Sequence, residues 1–153
     1  EHVREWIHGH ELTLHPDKTH VGDSREPGQG FDFLGYRFEG GMRFVRAKSL
    51  TAFKDRIRAR TKRSRGDSLG RIVADLEPIL RGWFEYFKHA RPRLFRRIDG
   101  MVRRRLRAIL RKQEKRPSRG RSKDDHTRWP NAFFAGAGLF TLQAAHAAAR
   151  HPR

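Results

Sequence analysis

Between Arg91 and Lys123 the sequence carries fifteen lysines and arginines against two acids, Asp99 and Glu114. A guanidinium offers a planar fork of N–H donors that fits phosphate oxygens. A series of them without balancing carboxylates is the footprint of a chain seated on a polyanion. The candidate contacts are Arg96, Arg97, Arg103, Arg104, Arg107, Arg111 and Lys112, with Lys18, Arg37 and Arg81 outside the run. A solvated basic face without a ligand is the plainer reading, and the scarcity of acids argues against it. Trp83, Tyr86 and Trp129 could stack on unpaired bases, which favours RNA over duplex DNA. Any one of these rings could equally be core, and composition does not separate the two nucleic acids.

Other chemistry is sparse. Lys18, in the turn His15-Pro16-Asp17-Lys18-Thr19, could touch phosphate or donate a proton, although a turn lysine is ordinarily just solvated. His8 and His10 are the closest histidine pair but have no cysteine or carboxylate set beside them, so no metal site is expected. Asp124-Asp125 is a single acid pair in an expected loop, too little for a two-metal site. No phosphate-binding glycine loop or serine–histidine constellation appears. Binding chemistry is legible; catalysis is not.

The whole chain extends the same imbalance. Its 153 residues carry a formal charge of +18, with a pI near 11.6. Such self-repulsion favours a polyanionic partner. A membrane surface comes second, because no apolar run approaches the ~20 residues of a bilayer span. Without cysteine there are no disulfides, thiol catalysis or cysteine-based zinc modules. The first residue is Glu1 and no signal pattern follows, so the chain reads as a piece of something longer.

These side chains need elements to hold them. Val3, Trp6 and Ile7 share one helical face, and Leu12 and Leu14 alternate as a short strand that Pro16 ends. Residues 22–30 read as a loop. Phe31 to Phe38 reads as one strand, apolar on both faces and therefore covered on both. Gly40-Gly41 turns it into a returning strand with Met42 and Phe44, a β-hairpin over 31–46. Leu50, Phe53 and Ile57 mark a helix, Asp67 or Ser68 caps the next, and Leu69, Ile72, Val73 and Leu76 form its stripe.

Pro78 predicts a bend or a new start. The stretch Pro78–Phe87, PILRGWFEYF, then supplies the hydrophobic centre: Leu80, Gly82, Trp83, Tyr86 and Phe87. After a break at Arg91-Pro92 the longest helix is expected from Leu94 to Lys115, with Phe95, Ile98, Val102, Leu106, Ile109 and Leu110 inward. Residues 116–128 read as a basic linker, Trp129–Leu142 as a docking segment, and Gln143–Arg153 as an alanine-rich helix.

In order, these motifs resemble the C-terminal part of a bacterial group II intron-encoded reverse transcriptase/maturase. Leu12-x-Leu14-His15-Pro16-Asp17-Lys18-Thr19 resembles the late palm motif, and Phe31-Asp32-Phe33-Leu34-Gly35-Tyr36-Arg37-Phe38 the following hairpin. Ser68-Leu69 through Trp83 to Tyr86-Phe87 resembles the thumb and maturase-specific region. Trp129-Pro130-Asn131-Ala132-Phe133-Phe134 and Gly138-Leu139-Phe140 resemble the tail.

The resemblance implies an α+β fold: a mostly α-helical bundle preceded by a small antiparallel β-hairpin from the end of a palm. The implied divisions are residues 1–46, 47–115 and 116–153. Implied partners are group II intron RNA, an RNA/DNA template-primer and an upstream palm chain, with no membrane, in the bacterial cytoplasm. Phe33, Leu34, Gly35 and Tyr36 would hold a primer terminus, and Lys18 would sit near the incoming nucleotide as an accessory group. The Tyr-Ala-Asp-Asp-type carboxylate motif, which carries the family's catalytic metals, is nowhere in this chain, nor is the cysteine-containing endonuclease module. No cofactor is therefore expected here, Mg2+ belonging with the missing palm carboxylates. The leading expectation is an RNA-binding maturase domain that assists intron folding and splicing. The alternatives are one part of a split RNA-directed DNA polymerase, or a generic basic nucleic-acid-binding protein.

Overall fold

The alternation of Phe31 to Phe38 is cut in two. In the computed structural model, which describes residues 2–10, 13, 22–26, 28–117 and 119–150 (Arg4 as backbone only), β1 is Phe31–Phe33 and β2 is Tyr36–Glu39. Leu34 and Gly35 form a turn between them, with φ of 48° and 79°. Two consecutive positive φ values are those of a two-residue hairpin turn, and leucine is an uncommon residue to supply one. β3, Met42–Val45, follows through Gly40-Gly41, giving an antiparallel meander in the order β1-β2-β3. Phe31 faces Phe38, and Tyr36 faces Val45. The expected single strand is thus corrected to two, and its expected double cover is corrected too. Phe33 and Leu34 are 58% and 65% exposed, because the early turn takes them out of the packed part of the sheet.

The helices carry the core. After α1 (His2–Gly9), whose Val3 and Trp6 are exposed, come α2 (Ala47–Arg60), α3 (Leu69–Phe87) and α4 (Pro92–Gln113). The residues of the periodic stripes point inward: Phe53 and Ile57 from α2, Ile72, Leu76 and Leu80 from α3, Phe95, Ile98, Val102 and Leu106 from α4. Each large aliphatic or aromatic side chain so buried contributes roughly 1.5–3 kcal/mol. Ser68 caps α3, its Oγ accepting from Arg71 N at 3.3 Å.

Pro78 does not break α3. The helix runs unbroken through it. The carbonyl that the proline leaves without a donor belongs to Ala74, four residues earlier. Ala74 and Pro78 are both exposed, so water can reach that carbonyl on the outer face.

The expected linker at 116–128 contains a helix, α5 (Lys123–Arg128). A capping box starts it: Asp125 N donates to Ser122 Oγ, and Ser122 N donates to Asp125 Oδ2. This small element is tied to α4 by an ion pair between Arg111 and buried Asp125. The pair Asp124-Asp125 thus lies on a helix, with Asp125 spent on structure. Ahead of it Gly120, at φ +71°, lies against α4 so closely that a Cβ would stand 2.7 Å from Ala108 N.

α6 (Asn131–Gly136) buries Phe134, and α7 (Leu142–Arg150) packs on α4 and α3. The start of α7 is held by a residue of α4. Asp99 accepts from Leu142 N and Gln143 N, both at 2.9 Å.

Candidate nucleic-acid interface

α4 separates its cations into those that build the fold and those that face out. Its inward apolar stripe fixes the rotation of the helix, so each arginine's role follows from its position around the axis. Arg96, Arg97, Arg104 and Lys112 are exposed and Arg103 is partly so. Arg107 is 2% exposed. Its Nε donates to Trp129 O at 2.9 Å, its Nη2 to Asn131 Oδ1 at 3.0 Å, and its guanidinium lies over the Phe134 ring. Burial, then the neighbouring Arg103, pulls its pKa down from the ordinary arginine value. Arg111 is similarly committed, to Asp125 and to Pro117 O. These two expected phosphate contacts are corrected to bolts that hold the C-terminal segment onto α4.

Arg105, which the sequence did not single out, closes the other end of α2. Its Nε donates to Thr61 Oγ1 at 2.6 Å and its Nη2 to Thr61 O at 2.9 Å. Thr61 is buried and donates in turn to Ile57 O at 2.7 Å. An arginine aimed at the last carbonyls of a helix satisfies acceptors that have no intrahelical partner.

The remaining candidates are scattered. Arg37 is neutralised on β2 by Glu39 at 3.0 Å and Asp32 at 3.4 Å. Arg81 is exposed, pairs with Glu77 at 2.7 Å on its own helix and lies over the Phe140 ring. Lys18 lies outside the described residues. Phe33 and Leu34 stand out at the meander tip, while Tyr36 Oη donates to Tyr86 O at 2.9 Å.

Of the expected hydrophobic centre, Leu80 and Phe87 are buried and Trp83 stacks on Phe53 at 4.1 Å with the rings 4° apart. Gly82 and Tyr86 are exposed, a correction to their expected place in the core. Helical geometry accounts for it, since α3 buries positions 80, 84 and 87 and so turns 82 and 86 outward. Trp129 is buried, so it offers no face to a base.

What the sequence missed is the relief around α4. One hollow of about 250 Å³ is lined by Arg63, Arg104, Arg105, Arg119 and Arg121 with Thr61 and Ala108. Arg119 and Arg121 come from the segment read as a linker, and Gly120 presses that segment against α4. The signal was present: a lone glycine between two arginines, at a place where only glycine allows the approach. Nearer the N-terminal end of α4 lie two further hollows, which share Leu50, Leu94 and Arg97. No acidic residue lines any of the three. Among the described residues no three histidine, aspartate or glutamate side chains are grouped as a metal site requires.

The sequence model of the group II intron maturase-specific domain matches residues 50–129, just over half the chain. The chain belongs to that family. The matched stretch starts at Leu50 in α2 and ends at Trp129, whose carbonyl receives Arg107. The maturase-specific domain thus includes the α2–α4 core, the arginine surface of α4 and the capping-box helix α5. Compared with curated proteins, the chain has no match.

Proposed function

We propose that this maturase domain binds group II intron RNA through the outward face of α4 and helps the RNA reach its splicing-competent fold. The observation that carries the reading is the acid-free arginine surface around Arg97, Arg104 and Arg121. The protein contributes no chemical step; the RNA performs the transesterification. A domain that holds the active RNA fold more tightly than its alternatives shifts the population toward it, by about tenfold for each 1.4 kcal/mol of difference. Phosphate contacts supply affinity, and the rigid placement of the arginines supplies the preference for one arrangement of phosphates.

Splicing of a cognate group II intron at low magnesium, with and without the protein, tests this directly. Faster splicing, with intron RNA preferred over tRNA in competition, is the expected result. No acceleration together with equal affinity for tRNA overturns it.

A second reading rests on the meander tip. Phe33 and Leu34 are exposed on a turn that α3 pins from behind, a suitable shape for gripping a nucleic-acid end. In that reading the chain works beside a palm that holds the metal-binding carboxylates, and handles a template-primer. Mixing it with such a palm chain should restore DNA synthesis, and failure of the two to associate removes this reading.

A further inference from the structure

The two hollows beside α4 form one groove with an amphipathic section. Its floor is apolar: Phe44 and Val45 from β3, Leu50 from α2, and Leu94, Ile98 and Met101 from α4. Its rim is cationic, with Lys54 on one side and Arg91, Arg93, Arg97 and Arg104 along α4. The volumes are about 350 and 410 Å³, within the ~300–1,000 Å³ of small-molecule clefts. From Arg93 to Arg104 the helix advances roughly 16 Å at 1.5 Å per residue, a span of a few nucleotides. Arg91 already lies over the Phe44 ring, 5.6 Å from its centroid, so a cation and an aromatic face share one wall.

We propose that this groove takes an unpaired RNA segment, with its bases on the apolar floor and its phosphates on the arginine rim. The proposal rests on the RNA-binding reading above and specifies the form of RNA. Charge and polarity make the match. A single strand shows a row of phosphates on one side and flat apolar base faces on the other. A duplex buries those faces in its stack and presents only sugars, phosphates and groove edges. Against a duplex the rim would find partners while the floor stayed unfilled. At Arg104 the groove adjoins the hollow lined by Arg119 and Arg121, which shares that residue and has no acid in its lining, so the strand's next phosphates continue along it.

Gly100 gives a clean way to test this. It lines the groove in mid-helix, is exposed, and a Cβ built there meets nothing within 4 Å. Gly100→Leu therefore fills the groove without removing a charge or a core contact, and it replaces a poor helix former by a good one. The matched control is Gly70→Leu, at another exposed helical glycine with open space around it, on α3.

The measurement is fluorescence anisotropy with a labelled oligouridylate and with an RNA duplex of the same length, alongside thermal melting. Wild type should bind the single strand more tightly than the duplex. Gly100→Leu should weaken single-strand binding by about tenfold or more, the loss expected when a base loses its stacking platform. Duplex affinity should stay within about twofold, Gly70→Leu should bind both like wild type, and neither variant should melt lower. Arg97→Ala should lower the slope of log affinity against log salt for the single strand by about 0.7. Unchanged single-strand binding by Gly100→Leu, or an equal loss for both RNAs, overturns the groove assignment and leaves the broader reading standing. If wild type binds neither RNA at any salt concentration, the RNA-binding reading falls with it.

Discussion

Tyr36 and Tyr86 lock the meander to α3 in both directions. Tyr36 Oη donates to Tyr86 O at 2.9 Å, and Tyr86 Oη donates to Leu34 O at 3.0 Å. The second bond anchors the carbonyl of the residue forced into positive φ. Behind it Gly35 packs on Phe87, where a Cβ would stand 3.1 Å from the ring. Two tyrosines 50 residues apart thus hold a turn that leucine alone would disfavour.

Tyr86→Phe removes the bond to Leu34 and keeps the ring. We expect a loss of about 0.5–1.5 kcal/mol, the net worth of one hydrogen bond. Hydrogen exchange should show the loss locally, with faster exchange at the amides around Leu34–Tyr36 and unchanged protection in α4. Uniformly faster exchange would mean that the pair supports the whole fold and not the turn.

Trp83→Ala should destabilise by about 3–5 kcal/mol, since it opens a cavity beneath the stacked Phe53 ring. Trp83→Phe should cost clearly less. The Trp83 Nε1 is buried without a hydrogen-bond partner among the described residues, and phenylalanine removes that donor while keeping an aromatic face. Denaturant melts of the two variants decide the order. Equal losses would show that the indole's size matters more than its stacking.

The arginines of α4 should divide by experiment as they do by burial. Arg107→Ala strips two hydrogen bonds made by a charged donor, each worth about 1.5–3 kcal/mol, and should lower the melting temperature. Arg104→Ala, at an exposed position, should stay within about 0.5 kcal/mol of wild type in stability while weakening RNA binding. Arg103, Arg104 and Arg107 exchanged together should therefore show both defects. Melting and RNA titration on the same preparations separate them.

Acid should act on two aspartates with opposite sign. The hydrogen bond from Arg65, the largest influence on Asp75, holds its carboxyl below the ordinary value of 3.8. Its stabilising contribution is complete above 3.8 and is lost as pH falls through the lowered value. Asp99 is raised, chiefly by burial, with the Gln143 and Leu142 amides pulling the other way. Its folded form therefore binds a proton more readily than the unfolded chain does. That contribution is complete below 3.8 and is lost as pH rises through the raised value. Asp75→Asn should flatten the acid limb of a melting profile, whereas Asp99→Asn should flatten the stretch just above it. No change of slope in either variant would contradict this assignment.

Much of this protein could be read from residue order alone. The periodic stripes of Phe53, Ile72 and Leu106 each name a buried helix face, because 3.6-residue spacing is a local property. The arginine excess, a cap at Asp67 or Ser68 and the break at Arg91-Pro92 are local too, and so were legible. The maturase resemblance rested on short ordered motifs and is matched by the family over residues 50–129.

Tertiary structure decided what depends on a distant partner. Pro78 continues a helix because its freed carbonyl faces water. Leu34 turns the chain because Tyr86, 52 residues away, holds its carbonyl. Arg107 and Arg104 are the same residue type three positions apart on one helix. One is a core bolt because Trp129 and Asn131 fold back over it, and the other meets solvent because nothing described covers it. Sequence counts cations; only packing decides which remain available to a phosphate, since a guanidinium buried inside the fold, as Arg107 is, lies out of a phosphate's reach.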